Sequence, residues 1–208
     1  DIEERERKIV QQFVKNGATI VSGLAFGCDS ISHQQALDSN GKTVAILPSP
    51  LNNIMPARNK GLAFQIVEEG GLLVTEYGTD FKSQMELSSR YKERDRLQAL
   101  FCDTIVLAAS YAQNSGDIHP NLRGQKLDSG ARLAMGYAYE YNIPRAVMYD
   151  EHIDEINPMF DLNRKLIKEQ TDITIISQDY ISKTVEKILD KEPTVKSTAT
   201  LHQGNLFD

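Results

Sequence analysis

The residues in this chain best placed to do chemistry are a glycine turn and a knot of basic side chains, not a catalytic pair. Val21-Ser22-Gly23-Leu24-Ala25-Phe26-Gly27-Cys28-Asp29 carries a β-rich run straight into a helical stretch, across a turn with two glycines. Glycine lets a backbone approach a ligand closely and adopt positive φ. The unpaired N–H groups that open the next helix face the same spot, with the positive end of the helix dipole, and this suits a phosphate. Asp29 or Ser30 is the expected N-cap. A tight turn that binds nothing reads equally well from this pattern. The spacing is not GxGxxG, which argues against ordinary nicotinamide binding.

The second feature is the run Arg90, Lys92, Arg94 and Arg96, the densest positive charge in the sequence. On a helix Arg90 and Arg94 share one face, and Lys92 and Arg96 another. The planar guanidinium fork donates two bonds at once to a phosphate. Glu93 and Asp95 alternate with these cations, so a solvated helix laced with ion pairs is the bland alternative. Arg94 and Arg96 are the favoured phosphate or DNA contacts. Lys42 and Arg132 are secondary candidates, and Tyr91 offers a stacking face.

Little else suggests catalysis. His33 is a lone helical histidine and reads as structural, and His119, His152 and His202 give no metal-ligand spacing. Glu76, after a strand, is the best remaining carboxylate, but no acid or base pairs with it in sequence. No catalytic residue, metal or cofactor is assigned. Cys28 and Cys102 read as buried free thiols of a reducing compartment, so a cytoplasmic location is expected.

These residues need positioning elements, and the hydropathy supplies them. Near-continuous apolar runs at 18–21, 43–47, 72–77, 104–109, 146–149 and 173–176 read as strands covered on both faces. Helical spacing fills the intervals: an opening helix ending at Asn16-Gly17, then 30–39, 58–69, 88–101, 129–141, 157–169 and 178–191. Strands separated by helices predict an α/β fold, a doubly wound, mainly parallel Rossmann-like sheet with helices on both faces. Residues 1–191 form the expected domain, and 192–208 a flexible tail. The chain opens in a helix, so the first strand of such a fold is expected to precede residue 1. With 208 residues, 40% hydrophobic and 25% charged, the chain can bury a core without disulfides. No apolar run is long enough to span a membrane as a helix. A formal charge of −6 argues against a globally basic clamp on nucleic acid, though not against a local site.

Several of these segments together carry a resemblance. Ser22-Gly23-Leu24-Ala25-Phe26-Gly27-Cys28-Asp29, His33, Ala36-Leu37 and Gly41-Lys42-Thr43-Val44-Ala45-Ile46-Leu47 come in that order. Asn59, Leu62 and Gly71-Leu72-Leu73-Val74-Thr75-Glu76-Tyr77 follow, then Arg94-Asp95-Arg96 and Ser129-Gly130-Ala131. This series resembles the DNA-processing protein A (DprA/Smf) family over about residues 5–150. The resemblance implies an extended Rossmann-like domain that binds single-stranded DNA non-catalytically in DNA processing, recombination or uptake, dimerises and helps to load a recombinase. It places phosphate or DNA contacts at Ser22, Gly23, Leu24, Phe26, Gly27, Asp29, Lys42, Arg94, Arg96, Ser129, Gly130 and Ala131.

The wider superfamily includes nucleotide sensors and cytokinin-releasing phosphoribohydrolases, so a sensor or hydrolase for a free nucleotide phosphate is the alternative. The turn at Ser129-Gly130-Ala131 lacks the hydrolases' carboxylate. The sequence departs from the family pattern at Phe26, where arginine is usual, at Cys28, at Leu47-Pro48-Ser49-Pro50, at Tyr91-Lys92-Glu93, at Ala109, at Met148-Tyr149-Asp150 and in an apparent insertion over 111–128. Phe26 removes a cation but offers a surface for a base. A decayed pocket that serves only as a scaffold for partners is the third reading. Gln203, Leu206 and Phe207, near the end of the tail, resemble the short peptide that docks on the DNA polymerase sliding clamp.

Overall fold

The computed structural model describes residues 2–190 except Lys126, Asp128 and Ser129. Six strands are present among them: β1 (Ile20–Ser22), β2 (Thr43–Ile46), β3 (Leu72–Val74), β4 (Ile105–Leu107), β5 (Arg145–Met148) and β6 (Ile173–Ile176). Nine helices surround them. They are α1 (Ile2–Lys15), α2 (Cys28–Asp38), α3 (Lys60–Glu68), α4 (Gln84–Leu100), α5 (Ser115–Ile118), α6 (Gly130–Glu140), α7 (Glu151–Asp154), α8 (Asp161–Glu169) and α9 (Ile181–Leu189). Every strand pairing is parallel, as crossover helices require.

The ladder is divided. β1, β2 and β3 form one three-stranded sheet, and β4, β5 and β6 another. Within the expected α/β class this is the main difference, because no hydrogen-bonded ladder joins β1 to β4 among the described residues.

The faces are covered as the apolar runs predict. Ala146 and Met148 on β5 pack with Ile9 and Phe13 of α1 and Val185 and Ile188 of α9. Val147, one residue over and hence on the other face, packs with Met135 of α6 and Leu166 of α8. In the first sheet Ala45 joins Leu37 of α2 and Ala63 and Ile66 of α3. α1 ends at Asn16-Gly17 as its sequence indicates, with Gly17 N–H donating to Val14 C=O and Ala18 N–H to Phe13 C=O.

Polar groups inside the fold are fixed in pairs. Arg5 of α1 donates two hydrogen bonds of 2.7 Å to the Asp154 carboxylate of α7, and both side chains are buried. Asn163 of α8 is fully buried and donates to the carbonyls of Ala108 (2.9 Å) and Met148 (2.8 Å), which ties the ends of β4 and β5. His33 is also fully buried: its Nδ1 lies 2.7 Å from Thr43 Oγ1, and burial pushes its pKa down to about 4, so it is a neutral structural residue. The two cysteines are free but half-buried rather than buried.

Candidate functional site

The β1–α2 turn lies at the carboxyl end of β1, the edge where ligands bind in such sheets. It is built tightly. Leu24 takes φ 60° and its side chain is fully buried, so only its backbone is open to a ligand. Asn59 donates to Leu24 C=O at 2.8 Å and pins the turn from the neighbouring segment. Gly23 leaves room for one specific side chain: a β-carbon there would lie 1.3 Å from Nη1 of Arg94.

Neither expected residue caps α2. The N-cap is Gly27, at φ 84° with no side-chain cap, a conformation that favours glycine. Asp29 turns back instead. Its Oδ1 accepts from the Ser22 hydroxyl at 2.8 Å and its Oδ2 from Ala25 N–H at 3.1 Å. A carboxylate of the protein therefore fills the inner part of the turn in the way an anionic ligand would. Ser30 Oγ donates to Gly27 C=O. The open part of the turn is the outer rim: Gly27, the first N–H groups of α2, and Phe26, which is 62% exposed.

α4 behaves differently from a simple basic face. Arg94 is only 3% exposed. It donates to Ile46 C=O at 3.2 Å and stands 3.9 Å from Asp29 Oδ2 and 3.5 Å from Asp95 Oδ1. Its charge thus supports the turn from behind instead of reaching into solvent. Arg96 makes a two-pronged bond to Glu76 (2.7 and 2.8 Å), and Arg90 pairs with Glu86 at 2.7 Å while donating to Thr79 C=O. Lys92 lies exposed on the same helix and makes no ion pair among the described residues. The ion-paired reading of this helix holds for three of its four cations.

Lys42 stands apart from the turn. It immediately precedes β2, whereas the turn follows β1; in a parallel pair those positions are at opposite ends of the sheet. Its ammonium donates to Glu69 C=O at 2.6 Å. A cavity of about 1770 Å³ opens between the turn and α6, which begins beside Asp95; a β-carbon on Gly130 would lie 2.6 Å from Asp95 Oδ2. Ala131 lines the same cavity. Ser129 lies outside the described residues, as do Gln203, Leu206 and Phe207.

The cavity holds buried titratable groups, of which Glu6 was not marked by the sequence. Glu6 of α1 accepts from Ser32 at 2.8 Å, and burial pushes its pKa up to about 7. Burial does the same to Asp95, to about 7, and raises the Cys28 thiol to about 12. Glu6 is the i−3 neighbour of Ile9 on the buried face of an amphipathic helix, and that misplaced carboxylate was the available signal. No group of three metal-ligating side chains exists among the described residues. No helix among them is long and apolar enough to cross a membrane.

Parallel strands, helices on both faces and a glycine turn at the carboxyl end of β1 define a Rossmann-like α/β protein. Residues 2–121 match the family model of DNA recombination-mediator protein A. The chain belongs to that family. It is 34% identical to protein Smf of Synechocystis over 136 residues, 65% of this chain and 29% of that protein. It is 28% identical to protein Smf of Borreliella burgdorferi over 179 residues, 85% of this chain and 54% of that one. The chain therefore spans 29% of the length of the first of these curated relatives and 54% of the second. Among solved structures, DNA processing protein A from Helicobacter pylori, described for its single-stranded DNA binding mode, superposes with a TM-score of 0.68 at 24% identity, over 90% of this chain and 74% of that one.

Proposed function

We propose that this chain is a non-catalytic single-stranded DNA-binding module that acts in DNA processing, and that it binds at the outer rim of the β1–α2 turn. The observation that carries the reading is the pairing of an uncapped helix N-terminus at Gly27 with the exposed ring of Phe26. The first supplies N–H donors and a positive dipole end for a phosphate, and the second a face on which a base stacks. Arg94, held behind the turn, offsets the Asp29 charge, and Lys92 adds positive potential along the cavity edge. Ala131 and Gly130 bound the opposite wall. The membership of the family and the single-stranded DNA bound by the Helicobacter pylori relative support the same reading. Dimerisation and recombinase loading belong to this proposal as the partnerships the family implies, and clamp docking as the one suggested by the tail residues Gln203, Leu206 and Phe207.

The test is a fluorescence-anisotropy titration of the chain with a labelled oligothymidylate, competed separately with unlabelled oligothymidylate, duplex DNA and AMP. Competition by single strands and not by AMP supports the reading. Saturable binding of AMP without binding of the oligonucleotide replaces it with the nucleotide-sensor alternative.

A further inference from the structure

The β1–α2 turn has a second neighbour besides α4. Asn59 donates to the carbonyls of Leu24 (2.8 Å) and Ala25 (3.3 Å), and it stands directly before α3. The start of α3 is thereby held against the residues that lead into Phe26. α3 joins two parallel strands, β2 and β3, so it runs back from their carboxyl ends to their amino ends. Its start lies at the same edge as the turn. α2 and α3 also cover the same residue of β2, Ala45, and so pack on one face of the sheet.

The surface beside Asn59 is basic and aromatic. Arg58 and Lys60 flank it in sequence; both are exposed, and neither meets a carboxylate among the described residues. Phe64 lies one helical turn beyond Lys60, about 5.4 Å along the axis, and is 50% exposed. The core does not require that ring, because α3 meets it through Ala63 and Ile66, which are fully buried. The Lys60 ammonium lies 5.5 Å from the centre of the Phe64 ring, which sets a cation beside a flat apolar face. Gly61 keeps the surface open between them: a β-carbon there would meet no atom within 4 Å. Glu68 and Glu69, exposed at the far end of the helix, close this basic surface with negative charge.

We infer that the DNA strand held at the turn continues over the start of α3, where Arg58 and Lys60 take its next phosphates and Phe64 stacks a second base. The inference rests on the single-stranded DNA reading proposed above, and it gives that site its extent and its direction across the protein. Phosphates and bases alternate along a single strand, and a surface that holds one combines cations for the first with aromatic faces for the second. Phe26 and Phe64 then hold separate bases, with Asn59 between them. The path leads outward over α3 and not along α4, where Arg90 and Arg96 are already bound to Glu86 and Glu76. An acidic peptide would answer the two cations but not the two exposed rings.

The test is a length series, dithymidylate to decathymidylate, titrated against the full 208-residue chain at low salt. In the parent, affinity should climb with length until both rings are covered. In Lys60→Ala with Phe64→Ala the climb should stop about two nucleotides sooner, and decathymidylate should bind about 5- to 150-fold more weakly, the worth of one stacked base. Arg58→Ala with Lys60→Ala should reduce the salt slope for decathymidylate by about 1.4, the worth of two single-strand phosphates. Lys183→Ala with Lys187→Ala removes the same charge from α9 and should leave the stopping length and the slope near those of the parent. Each of these side chains is exposed, so the substitutions leave the core intact. The same length dependence in the parent and in Lys60→Ala with Phe64→Ala overturns this inference and leaves the turn alone as the site. An oligothymidylate that binds the parent at no length overturns both this inference and the reading beneath it. Binding of hexaglutamate that is lost in Arg58→Ala with Lys60→Ala, beside an unchanged length dependence, overturns it in favour of an acidic partner.

Discussion

The guanidinium of Arg94 occupies the space that a β-carbon on Gly23 would need, with Nη1 1.3 Å from that position. The glycine of the β1–α2 turn is therefore required by a side chain arriving from a helix about 70 residues downstream, and the two residues form one unit. Gly23→Ala should lower the Tm, by about 1–3 kcal/mol of stability. Arg94→Ala alone should also destabilise, since it leaves Asp29 and Asp95 unopposed. Combined, the two substitutions should cost less than their sum, because the second makes room for the first. Additive losses in chemical denaturation would contradict the steric account.

Asp29 holds the inner anion position of the turn, so it competes with a phosphate for local positive potential. Asp29→Asn keeps an acceptor for Ala25 N–H but removes the charge. The expected outcome is a few-fold tighter binding of oligothymidylate at low salt, with the gain shrinking as salt screens it. An unchanged or weaker affinity in anisotropy titrations would show that the carboxylate does not oppose the ligand.

Glu6 should make stability fall as pH rises. Its folded pKa, about 7, lies above the usual 4.5 because burial disfavours the charged form. The folded state then holds more protons than the unfolded one between those values, and stability declines as pH climbs through that window. The groups around it are Ser32, Cys28, Asp29 and Arg7. Asp95, with a similar shift, adds to the decline, whereas His33, held neutral at a pKa of about 4, opposes it below about pH 6.5. Glu6→Gln isolates one contribution. Relative to the parent, its Tm should rise between pH 5 and pH 8 in differential scanning fluorimetry, and parallel curves for the two proteins would contradict this.

The buried pair Arg5–Asp154 fastens α1 to α7. Removing one partner leaves a buried charge unpaired, and Arg5→Ala should cost about 3–5 kcal/mol. Arg7→Ala, which breaks a part-exposed pair with Glu3, should cost about 1 kcal/mol or less. Urea denaturation of the two variants provides the comparison, and equal losses would contradict it.

The architecture was largely legible from periodicity, because six near-continuous apolar runs have few ways to be covered other than a parallel sheet with helices on both sides. The position of the turn was legible for the same reason: Gly23 and Gly27 interrupt a strand-to-helix transition. The start of α4 was missed although it is written locally. Ser83 accepts from Glu86 N–H, and Glu86 accepts from Lys82 N–H, a reciprocal cap that begins the helix at Gln84 rather than near residue 88. The partners of the charges were not legible. Arg96 meets Glu76 from another element, Asp29 folds back on Ser22, and Lys42 falls at the far end of its strand; each depends on tertiary placement that spacing along one helix does not encode. No apolar run marks where the ladder divides between β3 and β4 in chain order, since each run reads as a strand whichever sheet it joins.

The central claim is that the rim at Phe26 and the start of α2 holds single-stranded DNA. The most direct measurement is the salt dependence of oligothymidylate affinity for the parent, Phe26→Ala and Ser30→Glu. Loss of one stacked base should weaken binding by about 1–3 kcal/mol, roughly 5- to 150-fold, with little change in the salt slope. Ser30→Glu, which brings a negative charge to the uncapped helix start, should weaken binding most at low salt. Affinity that is untouched by both substitutions, or an oligonucleotide that does not bind even at low salt, would contradict the account.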